Sequence, residues 1–280
     1  MRVHVVQVGW IRFPKGLVHS FTRSKLMLAA LRGFRGPGEA IPILSYVVEH
    51  ADGHIVIDTG MTHSLAERLR TSRLVGRVCD LSVEPDDEIG PQLRARGLRP
   101  EDVRLVLPTH LHFDHAGAIG HFPSAEVLVH RTEWETRTDR LETLGYSWLC
   151  DEESWTAARA PDLYDLRPEP YGPFDHSLPL TDQGDVVLLP TPGHTKGHVA
   201  IAVRTPDLTL LFTGDHLLRQ SYYVADTCRG QDTPNIYARL TADTNRRLRR
   251  FVDQFRTMIL PSHDAEAERN IARWEPLQIT

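Results

Sequence analysis

Short apolar runs with the two-residue alternation of β-strands recur along the chain. Residues 1–9 form the first run, and residues 43–49 and 54–58 flank Ala51-Asp52-Gly53, which predicts a hairpin with Asp-Gly turn chemistry. Further strands are predicted at 103–107, 126–130, 185–189, 199–203, 208–212 and 258–260.

Segments whose apolar residues have the spacing of an α-helix lie between several of these strands. Helices are predicted over residues 64–74, over 86–96 with Gly97 as the stop, and over 242–255, where Leu248, Phe251, Val252 and Phe255 share one face. Because strands and helices alternate in both halves, the pattern predicts one α/β domain over residues 1–280. Its expected architecture is a sandwich of two central sheets with helices outside.

Two segments depart from this rhythm. Residues 11–40 are rich in glycine, arginine and scattered aromatics, and they predict a long loop or flap, with lining of an acyl-chain channel, packing on the core and a homodimer contact as open roles. Residues 134–181 contain many prolines, acidic groups and aromatics. An irregular stretch of this length inside a domain predicts an insertion that shapes a substrate pocket.

Composition and charge narrow the class of protein. With 280 residues and 41% hydrophobic content the chain can bury a large core, and a net charge of -5 gives no general attraction to nucleic acid or to an anionic membrane. The three cysteines lack C-x-x-C spacing, and no apolar stretch approaches the roughly 20 residues of a membrane span. The basic run 246–250 is interpreted as a solvated helix face. We therefore expect a soluble, cytoplasmic protein with a small-molecule substrate.

A metal-binding pattern follows the strand at 103–107. The run His110-Leu111-His112-Phe113-Asp114-His115 contains three imidazoles and a carboxylate, which are ligands of divalent zinc or iron. On an extended segment the two rings of His-x-His point to one side. A histidine-rich surface loop is the alternative interpretation, but the position of the run at a strand end favours the interpretation as half of a metal site.

One run offers too few ligands for two ions, so further ligands are expected at other strand ends. His194 follows the strand at 185–189, Asp215 follows the strand at 208–212, and His263 follows the strand at 258–260. Recurrence of histidine or aspartate at four strand ends indicates one composite site.

These residues carry a resemblance to a known family. The ligand set is similar to that of the metallo-β-lactamase superfamily, and within it the chain most resembles the N-acyl-homoserine lactonases. The likeness rests on four stretches: Val56-Ile57-Asp58-Thr59-Gly60-Met61, Thr109-His110-Leu111-His112-Phe113-Asp114-His115-Ala116-Gly117, Thr191-Pro192-Gly193-His194-Thr195-Lys196-Gly197-His198 and Ser262-His263-Asp264. The resemblance implies an αββα sandwich.

The same resemblance implies two divalent metal ions per chain. One ion is held by His110, His112 and His194, the other by Asp114, His115 and His263, and Asp215 bridges both. Zinc is the default metal, with iron, cobalt and manganese as alternatives. His112 stands where oxygen-reducing diiron relatives carry glutamate, which favours hydrolysis over redox chemistry.

The implied reaction is opening of a lactone ring by a hydroxide shared between the two ions. Metal binding lowers the pKa of the parent water toward about 7, so the hydroxide forms near neutral pH. Asp114 and Asp215 are the expected catalytic residues, with Asp114 as a proton shuttle. One departure is Leu218, where the best-known lactonases carry a tyrosine, and Tyr222 and Tyr223 are candidate replacements. Hydrolysis of another ester, a thioester, a phosphotriester or a β-lactam is the first alternative, and a non-enzymatic metal-binding module is the second.

Three further residues have two interpretations each. Asp58 follows a strand and is expected either to fix a ligand imidazole or to cap the next turn. His198 is either a partner of a ligand or an ordinary residue at a strand start. His216 is either a substrate contact or a packed histidine.

Overall fold

Two β-sheets face each other across a buried apolar layer. In the computed structural model, which describes residues 1–14, 38–72, 75–137, 160–220 and 238–273, the first sheet has the strand order β4-β1-β2-β3-β5-β6-β7. Its strands are β1 (Arg2–Pro14), β2 (Gly38–His50), β3 (Gly53–Ile57), β4 (Asp80–Ser82), β5 (Val103–Leu107), β6 (Glu126–His130) and β7 (Asp162–Tyr164).

The second sheet has the order β12-β11-β10-β9-β8. Its strands are β8 (Leu178–Pro179), β9 (Val186–Pro190), β10 (Val199–Arg204), β11 (Thr209–Gly214) and β12 (Thr257–Pro261). The described helices are α1 (His63–Thr71), α2 (Val75–Val78), α3 (Ile89–Ala95), α4 (Phe113–Ala116), α5 (Arg131–Thr136), α6 (Ala238–Gln254) and α7 (Ala267–Arg273). None of these helices combines the length and apolarity needed to cross a bilayer.

Three apolar clusters define the layers. The central cluster joins the facing sides of both sheets, for example Tyr46 of β2 with Phe212 of β11. Alternate residues of the first sheet, such as Val47, pack with helices α1 and α3, and alternate residues of the second sheet pack with α6 through Leu248 and Phe251. Because both faces of each sheet are covered, the architecture is the predicted αββα sandwich.

Strand direction brings several strand ends to one edge. Strands β3, β5 and β6 are parallel neighbours, and β11 is parallel to β12. Residues that follow β3, β5 and β6 therefore share one edge of the first sheet, and residues that follow β11 and β12 share one edge of the second.

The predicted hairpin is confirmed, and several boundaries are corrected. Gly53 has φ +114° and joins antiparallel β2 and β3. Helix α1 ends at Thr71, before the predicted 74, while residues 73–74 lie outside the described residues. Helix α3 starts at Ile89 because Pro85–Asp87 forms a separate 3-10 turn, and α6 starts at Ala238, earlier than predicted.

The predicted flap at 11–40 is too long at both ends. Residues 11–14 continue β1 and residues 38–40 begin β2, with Ile11 paired to Ile41 and Phe13 to Glu39. Strand alternation continues here because Ile11 and Ile41 are both buried in the layer under the helices. Residues 15–37 lie outside the described residues.

The proposed insertion at 134–181 is also part of the sheets where it is described. Its β7 extends the first sheet beside β6, and β8 extends the second sheet beside β9. Helix α5 continues to Thr136, and residues 138–159 lie outside the described residues.

A buried tyrosine ties the two sheets together near one strand end. The hydroxyl of Tyr46 donates to the carbonyl oxygen of Pro261 at 2.5 Å, and the backbone N–H of Leu44 donates to the Ser262 carbonyl at 2.9 Å. Burial raises the pKa of Tyr46, so its hydroxyl stays protonated and remains a donor.

We predict that Tyr46→Phe lowers the free energy of unfolding by about 1–3 kcal/mol, because it removes the hydrogen bond to a buried carbonyl while keeping the ring. Tyr46→Leu is expected to cost more, since the contact with Phe212 is lost as well. Denaturant unfolding of both variants measures this. A Tyr46→Phe variant as stable as the parent protein would contradict the assigned role.

Candidate metal centre

The histidine-rich run changes conformation in its middle. After β5 the chain bends at Thr109 and His110, and His112, whose backbone is extended, serves as the N-cap of α4, a single helical turn that contains Asp114 and His115. Because helical and non-helical backbone project side chains differently, this switch separates His110 and His112, which belong to one ligand group, from Asp114 and His115, which belong to another.

The first ligand group consists of four buried side chains with ligand atoms within 4.8 Å of one another: His110, His112, His194 and Asp215. His112 Nδ1 lies 2.9 Å from Nε2 of His110 and 2.9 Å from Nε2 of His194. Donor atoms around a tetrahedral zinc ion, each at about 2.0–2.1 Å from the metal, lie about 3.3 Å apart. The spacing of this group therefore suits a single ion.

The second ligand group consists of Asp114, His115 and His263, also buried and within 4.8 Å by their ligand atoms. Asp114 Oδ2 lies 3.7 Å from His115 Nε2 and 3.5 Å from His263 Nε2. The turn of α4 and the end of β12 supply these side chains.

Asp215 faces both groups with different oxygens. Its Oδ2 lies 3.4 Å from His194 Nε2 in the first group. Its Oδ1 lies 3.0 Å from His263 Nε2 and 3.2 Å from His115 Nε2 in the second group. A carboxylate divided in this way has the geometry to bridge two cations.

Two buried atoms test whether metal ions fit this arrangement. Among the described residues, His115 Nε2 and Asp215 Oδ1 are fully buried and have no hydrogen-bond partner. Leaving such atoms unsatisfied costs about 1–3 kcal/mol each, and more for a charged group. A divalent cation between them would satisfy both, so the donor set fits metal ions.

Burial and mutual repulsion tune the ligands toward metal binding. Burial lowers the pKa of His110 and of His112, and neighbouring imidazoles lower it further, so both rings stay neutral with a lone pair available. Burial raises the pKa of Asp215, but the imidazoles of His263, His115 and His194 outweigh it and hold the pKa well below its usual range.

Asp58 fixes one ligand of the second group. This buried residue has φ +55°, and its carboxylate accepts from the Thr109 N–H (2.8 Å), the Ser262 hydroxyl (2.9 Å) and the Nδ1–H of His115 (2.8 Å). In the neutral ring, a proton on Nδ1 leaves the lone pair of His115 on Nε2, the atom that faces the second ligand group. Of the two interpretations of Asp58, the structure shows the imidazole partner.

The remaining predicted residues lie beside the ligands. His198 Nδ1 is 2.8 Å from the Thr191 hydroxyl, and His216 Nε2 is 2.7 Å from Asn245 Oδ1 on α6, so His216 is a packed histidine. Leu218 is only 5% exposed. Tyr222 and Tyr223 lie outside the described residues.

Glu133 is a buried residue of the site that the sequence pattern did not indicate. It is buried in α5, and its carboxylate accepts from backbone N–H groups of both the histidine-rich run and the loop after β9. Its position just after β6, at the same sheet edge as the ligands, is the one signal that could have indicated it.

Comparison with known proteins places the fold and the ligand pattern in a family. Residues 38–263 match the metallo-beta-lactamase superfamily model. The chain belongs to this superfamily, which confirms the resemblance seen in the sequence.

Among curated relatives, the chain is 30% identical over 258 residues to N-acyl homoserine lactonase AttM from Rhizobium radiobacter, covering 85% of this chain and 88% of that protein. It is 28% identical over 240 residues to N-acyl homoserine lactonase AiiA from Bacillus thuringiensis subsp. kurstaki, covering 84% and 86%.

Solved structures confirm the fold. An N-acyl homoserine lactone hydrolase with the product N-hexanoyl-L-homoserine bound at its catalytic metal centre superimposes with a TM-score of 0.73, at 22% identity, over 96% of this chain and 95% of that chain. The dizinc quorum-quenching lactonase AidC superimposes with a TM-score of 0.62, at 15% identity, over 94% and 87%.

We predict that Asp58→Asn weakens metal binding about 10- to 100-fold, because the amide cannot reproduce all the acceptor positions that orient His115 and the adjoining backbone. Competition with a chromophoric chelator measures the affinity. The matched control is Asp52→Asn in the exposed hairpin turn, which should bind metal as the parent does. Equal affinity in both variants would show that Asp58 does not act on the ligands.

Proposed function

We propose that this protein is a dinuclear metal hydrolase that opens the lactone ring of N-acyl-homoserine lactones. The observation that carries the proposal is the division of the Asp215 oxygens between two buried ligand groups. Relatives named N-acyl homoserine lactonases support the substrate class.

The proposed ligands of one ion are His110, His112 and His194, those of the other are Asp114, His115 and His263, and Asp215 is the proposed bridge. Zinc is the proposed metal, although iron, cobalt and manganese suit the same nitrogen and oxygen donors. When bound, two such ions lower the pKa of water and polarise a substrate carbonyl.

Asp114 is the proposed proton carrier. It is 7% exposed, and its Oδ2 points to the second ligand group. In the proposed step, its carboxylate accepts a proton from the attacking water as the new C–O bond forms at the carbonyl carbon. It then returns that proton to the ring oxygen as the ring C–O bond breaks, so water and lactone yield one hydroxy acid.

The protonation state of two buried histidines suits a metal-dependent hydrolase. His110 and His112 are neutral, so each supplies a nitrogen lone pair to a metal, and neither is expected to donate a proton in the reaction. Leu218 offers no hydroxyl, so the proposed mechanism assigns proton transfer to Asp114 alone among the described residues.

The cellular context is part of the same proposal. We propose one domain, a cytoplasmic location, and a role in quorum quenching through removal of acyl-homoserine lactones. A net charge of -5 and three cysteines without paired spacing support an intracellular protein that does not bind nucleic acid or membranes. A homodimer is compatible with the proposal.

We expect N-hexanoyl-homoserine lactone to be cleaved with a catalytic efficiency about two orders of magnitude or more above that for a thioester, a phosphotriester and a β-lactam. Metal content is measured on the same preparation, and removal of metal with a chelator should abolish turnover until zinc is returned. Preference for another member of the panel would replace the substrate assignment. Full lactone hydrolysis by metal-free protein would refute the proposed mechanism.

We predict that replacing each of the two proposed catalytic aspartates has a different effect on metal content and turnover. Asp215→Asn should lower metal content and turnover together, because it removes the shared charge between the ligand groups. Asp114→Asn should lower kcat by about 10²- to 10⁴-fold, the range for loss of a proton-transfer group, with a smaller loss of metal. Elemental analysis and kinetics on the same samples separate the two effects.

Wild-type turnover in Asp114→Asn with full metal content would exclude proton transfer by Asp114. Full metal content in Asp215→Asn would exclude the bridging role.

A further inference from the structure

Glu133 joins two separate loops that carry ligands of the first group. Its Oε1 accepts from the Leu111 N–H at 3.1 Å, and its Oε2 accepts from the Thr195 hydroxyl at 2.7 Å and from the Gly197 N–H at 3.1 Å. Glu133 is 5% exposed, so these bonds form in a medium where they are strong.

The contact between α5 and the loop after β9 leaves no spare space. A Cβ on Gly197 would lie 2.2 Å from the backbone nitrogen of Glu133, so only glycine permits this approach. The carboxylate then reaches three donors at once. An amide at this position would turn an N–H₂ group toward at least one donor, because only one of its two terminal atoms accepts a hydrogen bond.

The residues held by Glu133 adjoin the ligands of only one group. Leu111 lies between His110 and His112, and Thr195 directly follows His194. Those three imidazoles are the nitrogen donors of the first group.

The second group is held by other contacts. Asp58 accepts from His115, and the Nδ1–H of His263 donates to the Pro42 carbonyl at 2.8 Å. Neither contact involves Glu133.

We propose that Glu133 is a positioning residue for one of the two metal positions: it fixes the distance between the His110–His112 segment and His194, and so selectively maintains metal binding by the first group. This inference rests on the metal centre proposed above.

The central test is metal affinity in E133Q. Competition with a chelator should show about 10- to 100-fold weaker binding of one ion and unchanged binding of the other, so that about one ion per chain remains after dialysis against the chelator. E135Q, an exposed glutamate on the same helix, is the matched control and should retain two.

Double variants identify which ion is lost. If Glu133 serves the first group, E133Q adds little to the metal loss of H194A, because that position is already disrupted, and E133Q combined with H263A removes both ions. The opposite pattern would place the effect in the second group and overturn the inference.

A second variant guards against failure of E133Q to fold. T195V removes one of the three hydrogen bonds and keeps the carboxylate, and it should weaken the same ion to a smaller extent. Circular dichroism and thermal unfolding of metal-free samples report folding independently of activity. If E133Q does not fold, the metal affinity of T195V alone tests the inference.

Two outcomes separate this inference from the proposed metal centre. Wild-type protein that binds no metal would refute the metal centre itself. Wild-type protein that binds two ions, with E133Q or the deciding T195V binding both equally well, would refute the role of Glu133 and leave the metal centre standing. Equal weakening of both ions would also overturn the selectivity.

Discussion

A buried carboxylate between two clusters of imidazoles is the constraint on which the site depends. An isolated carboxylate is costly to bury, so Asp215 must be surrounded by groups that favour its charge. Three imidazoles from both ligand groups supply this environment. Its backbone position depends on Gly214, which has φ +50° and where a Cβ would lie 2.5 Å from the Thr109 hydroxyl. The end of β11 can therefore approach the histidine-rich run closely only because this residue is glycine.

Two other buried carboxylates hold the histidine-rich run from the strands on either side of β5. Asp58, after β3, accepts from the Thr109 N–H and reaches Ser262 beyond β12. Glu133, after β6, accepts from the Leu111 N–H and reaches the loop beyond β9. Each carboxylate thus links the run to a different ligand loop of the second sheet. Hydrogen bonds to charged groups contribute about 1.5–3 kcal/mol each, so both carboxylates stabilise the positions of these loops.

Much of this arrangement could be predicted because strand alternation and ligand chemistry are local signals. All seven candidate ligands, including Asp215, follow strands, and the structure brings them into two neighbouring groups. The features that escaped prediction depend on tertiary contacts. Glu133 looks like any surface glutamate until the loop containing Gly197 packs on it. The helical turn at Phe113–Ala116 is too short for a periodic signal, and the extension of β1 to Pro14 depends on pairing with Gly38.

The ligand set and the walls around it determine different properties of the protein. The buried histidines and carboxylates of the ligand groups define the class of reaction, whereas substrate choice depends on what contacts the acyl chain and the ring. Leu218 follows Asp215 by three residues and is buried, and the segment around it is anchored: Arg219 forms an ion pair with Glu39, and the Gln220 N–H donates to Asp264 at 2.8 Å. A buried leucine in an anchored segment cannot supply a hydroxyl to the substrate. A hydroxyl that contacts the substrate must therefore come from a residue other than Leu218, and substrate selectivity can change without any change in metal binding.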